Sequence, residues 1–230
     1  MQVIKDLEQN SEDWFEFRKG KIGGSKVSGI KPLKVGKKKG IIEGAVGVWK
    51  IIAERVSLSK DSESERERGH RLEEKARDRA NEKYGLSLIQ GRVWQSDIDP
   101  NIYLSPDSEE DSDAPVYAQE IKAFDTHKHL EIIYADIQAK KGESYSPLAS
   151  IPSDNVDQAI DYFVVNDKLE TLYFTLVNEM VAYESMETYE IVIKRSDVEG
   201  LIQEQQDTQL RALKRVDEII DELLKELEDK

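Results

Sequence analysis

The spacing of apolar positions changes period along the chain and divides it into helical and extended stretches. Residues 11–19 place Trp14, Phe15 and Phe17 just after Ser11, a residue type that caps helix starts, which predicts a short helix. Gly20, Gly23 and Gly24 break it, and Ser25 then stands at the start of the next helical turn. Residues 31–40 read as a basic loop, and 41–57 as a buried helix carrying Ile41, Ile42, Val48, Trp49, Ile52, Ala53 and Val56. After a polar break at 57–64, a second helix is predicted over 65–84. Its stripe is thin (Leu72, Ala76, Ala80 and Tyr84, four apart), and Gly85 is placed to end it. Glu73, beside that stripe, can point towards a neighbouring sheet edge.

From Leu86 the period shortens to two. Strands are expected over 88–94, 102–104 and 116–122, with turn chemistry at Asp99-Pro100-Asn101 and an acidic loop over 108–113. That loop lacks the carboxylate spacing and the glycine of an EF-hand. Further on, 124–141 and 155–164 read as helices, 144–152 as a loop, and 172–178 and 189–194 as strands. The chain closes on a long amphipathic helix, 197–228, striped by Leu201, Leu210, Leu213, Val216, Ile219, Ile220, Leu223, Leu224 and Leu227. Strands and helices are thus mixed, and no internal repeat is evident.

Composition narrows the class. A chain of 230 residues with 38% hydrophobic content can bury one sizeable core. It has no apolar run of membrane-spanning length, and Met1–Asp6 lacks an apolar leader, so a non-membrane, cytoplasmic protein is expected. The absence of cysteine excludes disulfides, Cys-ligated zinc and iron–sulfur clusters. The net charge of −14 conceals an asymmetry. Between Trp14 and Arg55 eleven Lys/Arg face three Glu, a balance of +8, whereas from Asp197 onward eleven acids face five bases, a balance of −6. A basic N-terminal third leaves room for a nucleic-acid surface despite the sign of the whole.

The chemistry gathers at Ser105-Pro106-Asp107 and Glu120-Ile121-Lys122. A strand period of two puts Glu120 and Lys122 on one face and Ile121 on the other, and a hairpin-like return can bring Asp107 beside them. Two neighbouring carboxylates suit a hard cation such as Mg²⁺ or Mn²⁺, and an adjacent ammonium can orient water and stabilise charge on a phosphate. Taken alone, the triplet reads equally as an acidic loop beside a solvated cross-strand pair. Upstream, Arg18, Ser25 and the free N–H groups after the glycines make a phosphate cradle or an ordinary capped turn. His70, His127 and His129 are too scattered for a metal site and are expected at the surface or near nucleic acid.

The order of these elements resembles the PD-(D/E)xK nuclease core, and in particular the lambda exonuclease and YqaJ-type viral recombinase family. The resemblance runs over about residues 10–196. It is carried by Trp14-x3-Arg18-x6-Ser25, Gly69-x3-Glu73-x2-Ala76-Arg77, Ser105-Pro106-Asp107 and Glu120-Ile121-Lys122. It implies a restriction-endonuclease-like α/β (α+β) fold, with a central mixed sheet flanked by helices, in a domain spanning 1–196. The helix of 197–230 would pack on or extend that domain. It also implies that Asp107, Glu120 and the Ile121 carbonyl hold one or two Mg²⁺ or Mn²⁺ ions. Glu73 would close the cluster directly or through water, Lys122 would be the catalytic lysine, and Arg18, Ser25 and Ser105 would grip a 5′-phosphate. Lys34 stands near the place of a further phosphate-binding arginine, with Lys37 and Lys38 in the same basic loop. Gln158 fits the first position of a Gln-x-Gln pattern whose second is Ile160 here. Ser108 stands where the family often has glycine, and the interval from Asp107 to Glu120 is longer than in the lambda enzyme. The implied activity is a 5′→3′ exonuclease on double-stranded DNA ends, leaving 3′ single strands for phage-type recombination. Its implied partners are a single-strand annealing protein and a ring-shaped homotrimer, and its setting is the host cytoplasm if phage-encoded. An endonuclease of the same fold and a non-catalytic acidic DNA mimic are the alternatives.

Overall fold

A computed structural model describes residues 1–4, 7–31, 48, 51, 66–124, 126–179, 181 and 183–228. Two sheets carry the chain. The smaller has the order β1 (Gln2–Ile4), β4 (Val93–Gln95), β5 (Ile102–Leu104), β2 (Ile22–Gly23). The larger has the order β3 (Leu88–Gln90), β6 (Ser108–Glu110), β7 (Tyr117–Ala123), β8 (Thr171–Val177), β9 (Thr188–Lys194). The expected single central sheet is therefore split, and the run 88–94 contributes one strand to each half. Gly91 is the dividing residue. A Cβ there would lie 1.8 Å from the Pro106 carbonyl oxygen, so only glycine lets the two backbones pass this closely.

β7 and β8 run parallel, with Glu120 opposite Phe174 and Lys122 opposite Leu176. Parallel neighbours need a long crossover, supplied here by α4 (Thr126–Ala139), α5 (Pro147–Ser150) and α6 (Ser153–Val165). The segment 144–152, expected as a loop, thus contains a short helix, with Pro147 in its first turn. One face of the larger sheet, with Ala118, Leu172, Phe174 and Leu176, joins Ala159, Tyr162 and Phe163 of α6 in the main core. The opposite face meets α3 (Arg66–Tyr84), where Leu72 and Ala76 pack on Ile121 and Val177. The thin stripe suffices because small residues let the helix sit close to the strands.

α7 (Arg195–Glu228) packs along α6 through Val198, Ala212, Leu213, Val216 and Ile219, which belong to the same main core. Its first residue ties the two helices together. The Arg195 guanidinium donates to the carbonyls of Phe163, Asn166 and Leu169, which end α6 and begin the turn into β8. Polar residues also lie in this interface. Asp161 is fully buried, accepting from Gln209 Nε2 at 2.6 Å and Gln205 Nε2 at 3.4 Å, while its other carboxylate oxygen has no partner.

The acidic segment expected as a loop is half strand. Ser108 and Glu109 are completely buried in β6, where Arg92 Nε and Trp94 Nε1 both donate to the Glu109 carboxylate. Arg92 also donates to the carbonyls of Glu110 and Ser112, pinning the turn that follows. The sequence pattern hides this strand because the partners of its buried Glu109, the Arg92 guanidinium and the Trp94 N–H, lie 17 and 15 residues upstream. A second correction concerns His129, which is buried, with Nε2 at 2.6 Å from the Met186 carbonyl, and not a surface residue. The side chains of His70 and His127 lie outside the described residues, as does the 41–57 helix apart from Val48 and Ile51, both buried. Among the described residues no helix is long and apolar enough to cross a membrane.

Two outcomes follow from these buried charges. Removing the Arg92 guanidinium leaves Glu109 enclosed without its ion pair, so Arg92→Ala should cost about 3–5 kcal/mol in urea denaturation at neutral pH. The double variant Arg92→Ala/Glu109→Met should recover most of that loss. For Asp161, burial pushes the carboxyl up to about 7, with Gln209 and Gln205 opposing. Its folded pKa lies above the unfolded value, so the native state binds the extra proton. Its stabilising contribution is full below about pH 4 and is lost as pH rises through about 7. Stability measured across that window should fall less steeply in Asp161→Asn than in the parent chain.

Candidate active site

The site is assembled where the smaller sheet, the larger sheet, α3 and α6 meet. α1 (Glu12–Arg18) begins at Ser11, whose hydroxyl accepts from the Trp14 N–H at 3.1 Å. One turn later the Arg18 guanidinium lies 3.9 Å from the centre of the Trp14 ring, and its Nε donates to the Tyr103 hydroxyl at 2.8 Å. Trp14 reaches further, donating from its indole N–H to Ser105 Oγ at 3.2 Å. One aromatic residue therefore holds both the arginine and the serine expected to grip a phosphate. Ser25 lies in a 3₁₀ turn, Gly24–Lys26, that follows β2 directly and leads into α2 (Val27–Ile30). Gly23 is pressed against the Tyr103 ring and Gly24 against Leu104, so both glycines serve close packing at the rim of the site.

The carboxylates come from two adjoining strands. Asp107 immediately precedes β6, and its Oδ2 accepts from the Ile121 N–H at 2.6 Å. Glu120, 2% exposed, is held on every side. Its Oε1 accepts from Lys122 Nζ at 2.5 Å and from Gln158 Nε2 at 2.7 Å, and its Oε2 from the Tyr162 hydroxyl. Withdrawal from water, followed by the field of Glu120 and to a smaller extent of Glu73, raises the Asp107 carboxyl well above the usual range. Lys122 and the Ile121 N–H oppose this. For Lys122, burial works to lower the pKa, but Glu120, Asp107 and Glu73 outweigh it, and the ammonium is held firmly charged. Burial and then the fields of Glu120 and Asp107 keep the Tyr162 hydroxyl protonated, and so a donor to Glu120.

A cleft of about 210 Å³ is lined by Arg18, Ser25, Glu73, Ser105, Asp107, Glu120, Lys122 and Gln158 together. Every described side chain singled out from the sequence for this site borders that one cleft. The exception is Ile121: its side chain packs against α3, and its backbone N–H holds Asp107. Lys34, Lys37 and Lys38 lie outside the described residues. A larger hollow of about 420 Å³ is bordered by Glu204, Asp207, Leu210 and Arg211 of α7 and carries no comparable chemistry. Four residues of the site were not anticipated. Tyr162 could have been found, since it stands one helical turn after Gln158 on the same face. Tyr103 stands two residues before Ser105, in β5. Gln9 and Asn10 gave no signal. Gln9 Nε2 bridges the carbonyls of Gly91 and Pro106 at 2.9 and 2.7 Å, and Asn10, at a φ of 67°, turns the chain into the cleft.

The donor chemistry suits a divalent cation. Asp107 and Glu120 present hard oxygens, and a cation between them would favour the charged form of the Asp107 carboxyl, which burial first and the Glu120 field second disfavour. In the present arrangement the Lys122 ammonium supplies the positive charge against Glu120. Among the described residues no three His, Asp or Glu side chains stand at metal-coordinating spacing. The fit therefore rests on the Asp107–Glu120 pair, with Glu73 nearby.

The parallel β7–β8 pair with antiparallel β6 beside it, and Asp107, Glu120 and Lys122 at one cleft, agree with the PD-(D/E)xK fold expected from the sequence. Residues 13–162 match the YqaJ-like viral recombinase domain, and the chain belongs to that family. It is similar to the crystal structure of an alkaline exonuclease from Laribacter hongkongensis, alone and in complex with dAMP. In both cases the TM-score is 0.72 at 20% identity, covering 95% of this chain and 99% of the other. A phage related exonuclease from Haemophilus somnus 129PT is similar over 88% of this chain and 96% of its own, with a TM-score of 0.59 at 16% identity. No curated protein matches the sequence. At these identities the likeness establishes a shared fold.

Proposed function

We propose that the chain is a metal-dependent deoxyribonuclease acting as a 5′→3′ exonuclease on double-stranded DNA ends, leaving 3′ single strands for phage-type recombination. One observation carries the reading: the Asp107, Glu120 and Lys122 set and the Arg18, Ser25 and Ser105 set border the same cleft. The likeness to exonuclease structures over almost the whole chain supports it. Asp107 and Glu120, with the Ile121 carbonyl, would hold one or two Mg²⁺ or Mn²⁺ ions, and Glu73 would complete the acidic cluster. Such an ion, when bound, supplies a Lewis acid for the phosphoryl group and lowers the pKa of water.

The remaining work belongs to the chain. Lys122 presents a fixed ammonium beside the scissile position, where it stabilises charge developing on the phosphate. Glu120 keeps that ammonium in place. Arg18, with Nε taken by Tyr103, turns its terminal amino groups to a phosphate, and the Ser25 and Ser105 hydroxyls complete the grip. A grip on the terminal phosphate in the same cleft as the hydrolytic set makes the enzyme count from an end.

Linear 5′-phosphorylated duplex should therefore be degraded in Mg²⁺ from its 5′ ends, and EDTA, Asp107→Ala or Lys122→Ala should reduce the rate by a factor on the order of 10³ or more. Undiminished digestion in any of the three sinks the site assignment. Arg18→Ala should chiefly erase the preference for phosphorylated over hydroxyl ends, and an unchanged preference rejects the cradle. Closed circular duplex should survive intact; its cleavage would favour a structure- or sequence-specific endonuclease of the same fold.

A further inference from the structure

We propose that Tyr162 is a positioning residue for Glu120, fixing the carboxylate's orientation so that one chosen oxygen faces Asp107 and the cleft. The inference rests on the metal-binding reading of Glu120 given above.

Tyr162 lies on α6, one turn after Gln158, and is fully buried. Its hydroxyl donates to Glu120 Oε2 and lies 3.5 Å from the Gln119 carbonyl oxygen. Lys122 and Gln158 both engage the other oxygen, Oε1. Donors on Oε1 alone restrain the terminal torsion from one end only, and that torsion is a broad, soft degree of freedom. A donor on Oε2 removes that freedom, because each of the two oxygens is then held by a donor of its own.

The anchor is itself rigid. The Tyr162 ring meets the Trp94 indole edge-on, with centroids 5.9 Å apart and planes at 82°. The Trp94 N–H is in turn committed to Glu109 in β6, and both residues are fully buried. The phenol therefore cannot swing away to follow a moving carboxylate. Outer groups that orient a ligating side chain commonly set its affinity for the metal, and losing one typically weakens binding about 10–100-fold.

The test is calorimetric titration of the whole chain with Mn²⁺ alone. It is run beside thermal melting and beside binding of a 5′-phosphorylated duplex without divalent metal. Tyr162→Phe keeps the ring and removes only the hydroxyl. It should weaken Mn²⁺ binding about 10–100-fold while the duplex affinity, which is set at Arg18 and Ser25, stays within about twofold. Equal Mn²⁺ affinity in parent and Tyr162→Phe proteins overturns the positioning role and leaves the metal reading standing. Loss of metal and duplex binding together overturns it as well, because that is the mark of a general structural role. If the parent protein takes up no Mn²⁺, or Glu120→Gln takes it up as the parent does, the metal reading falls and this inference with it. Should the phenylalanine protein not fold, Tyr162→Met, which fills the space without a donor, is read by the same outcomes.

Discussion

Glu120 is the residue on which the rest of the molecule converges. A carboxylate that is 2% exposed is tolerated only if its charge is met by donors, and here these come from two separate elements. Lys122 lies two residues on along β7, while Gln158 and Tyr162 reach down from α6. The parallel pairing of β7 with β8 is what makes this possible, because it forces the chain through a helical crossover whose last member covers the face bearing Glu120. Fold and site are thus linked in both directions. Without α6 the carboxylate would keep Lys122 as its donor and lose the other two, and without the carboxylate the buried Tyr162 phenol would be left with the Gln119 carbonyl at 3.5 Å.

The α6–α7 interface repeats the device away from the cleft. Asp161 on the face of α6 towards α7 is met by Gln205 and Gln209, in the middle of an otherwise apolar stripe. A buried polar pairing of this kind adds little net stability, but it penalises any sliding of one helix along the other. Gly24 stands beside both Asp161 and Gln158, so the turn carrying Ser25 rests on the same helix that orients Glu120. The two walls of the cleft therefore share one support.

Much of this was legible because local chemistry and global position agree. The Ser11 cap, the four-residue stripe of α3, the left-handed Gly85 and the period-two run through Glu120 and Lys122 each declare themselves within a few residues. What was not legible depends on partners far along the chain. The strand Ser108–Glu110 reads as an acidic loop because the donors that meet Glu109 are Arg92 and Trp94, on the far side of the β4–β5 turn. The division of 88–94 between two sheets depends on a carbonyl fifteen residues downstream, that of Pro106. Gln158 looked isolated once Ile160 stood in the second place of its pattern. Its contact with Glu120 follows from the crossover, which no local window contains.

The acidic interval between Asp107 and Glu120 takes on a different meaning in this light. As a loose loop beside two carboxylates it would add only a repulsive field, screened by solvent. Its first three residues are instead a strand, with Ser108 paired against Gln119 and Glu109 against Ala118 of β7, and the turn that follows is clamped by Arg92. Glu109 engages Trp94, Trp94 packs on Tyr162, and Tyr162 donates to Glu120. Glu109 is therefore joined to Glu120 through three consecutive buried contacts, and a change at this hairpin reaches the cleft through packing.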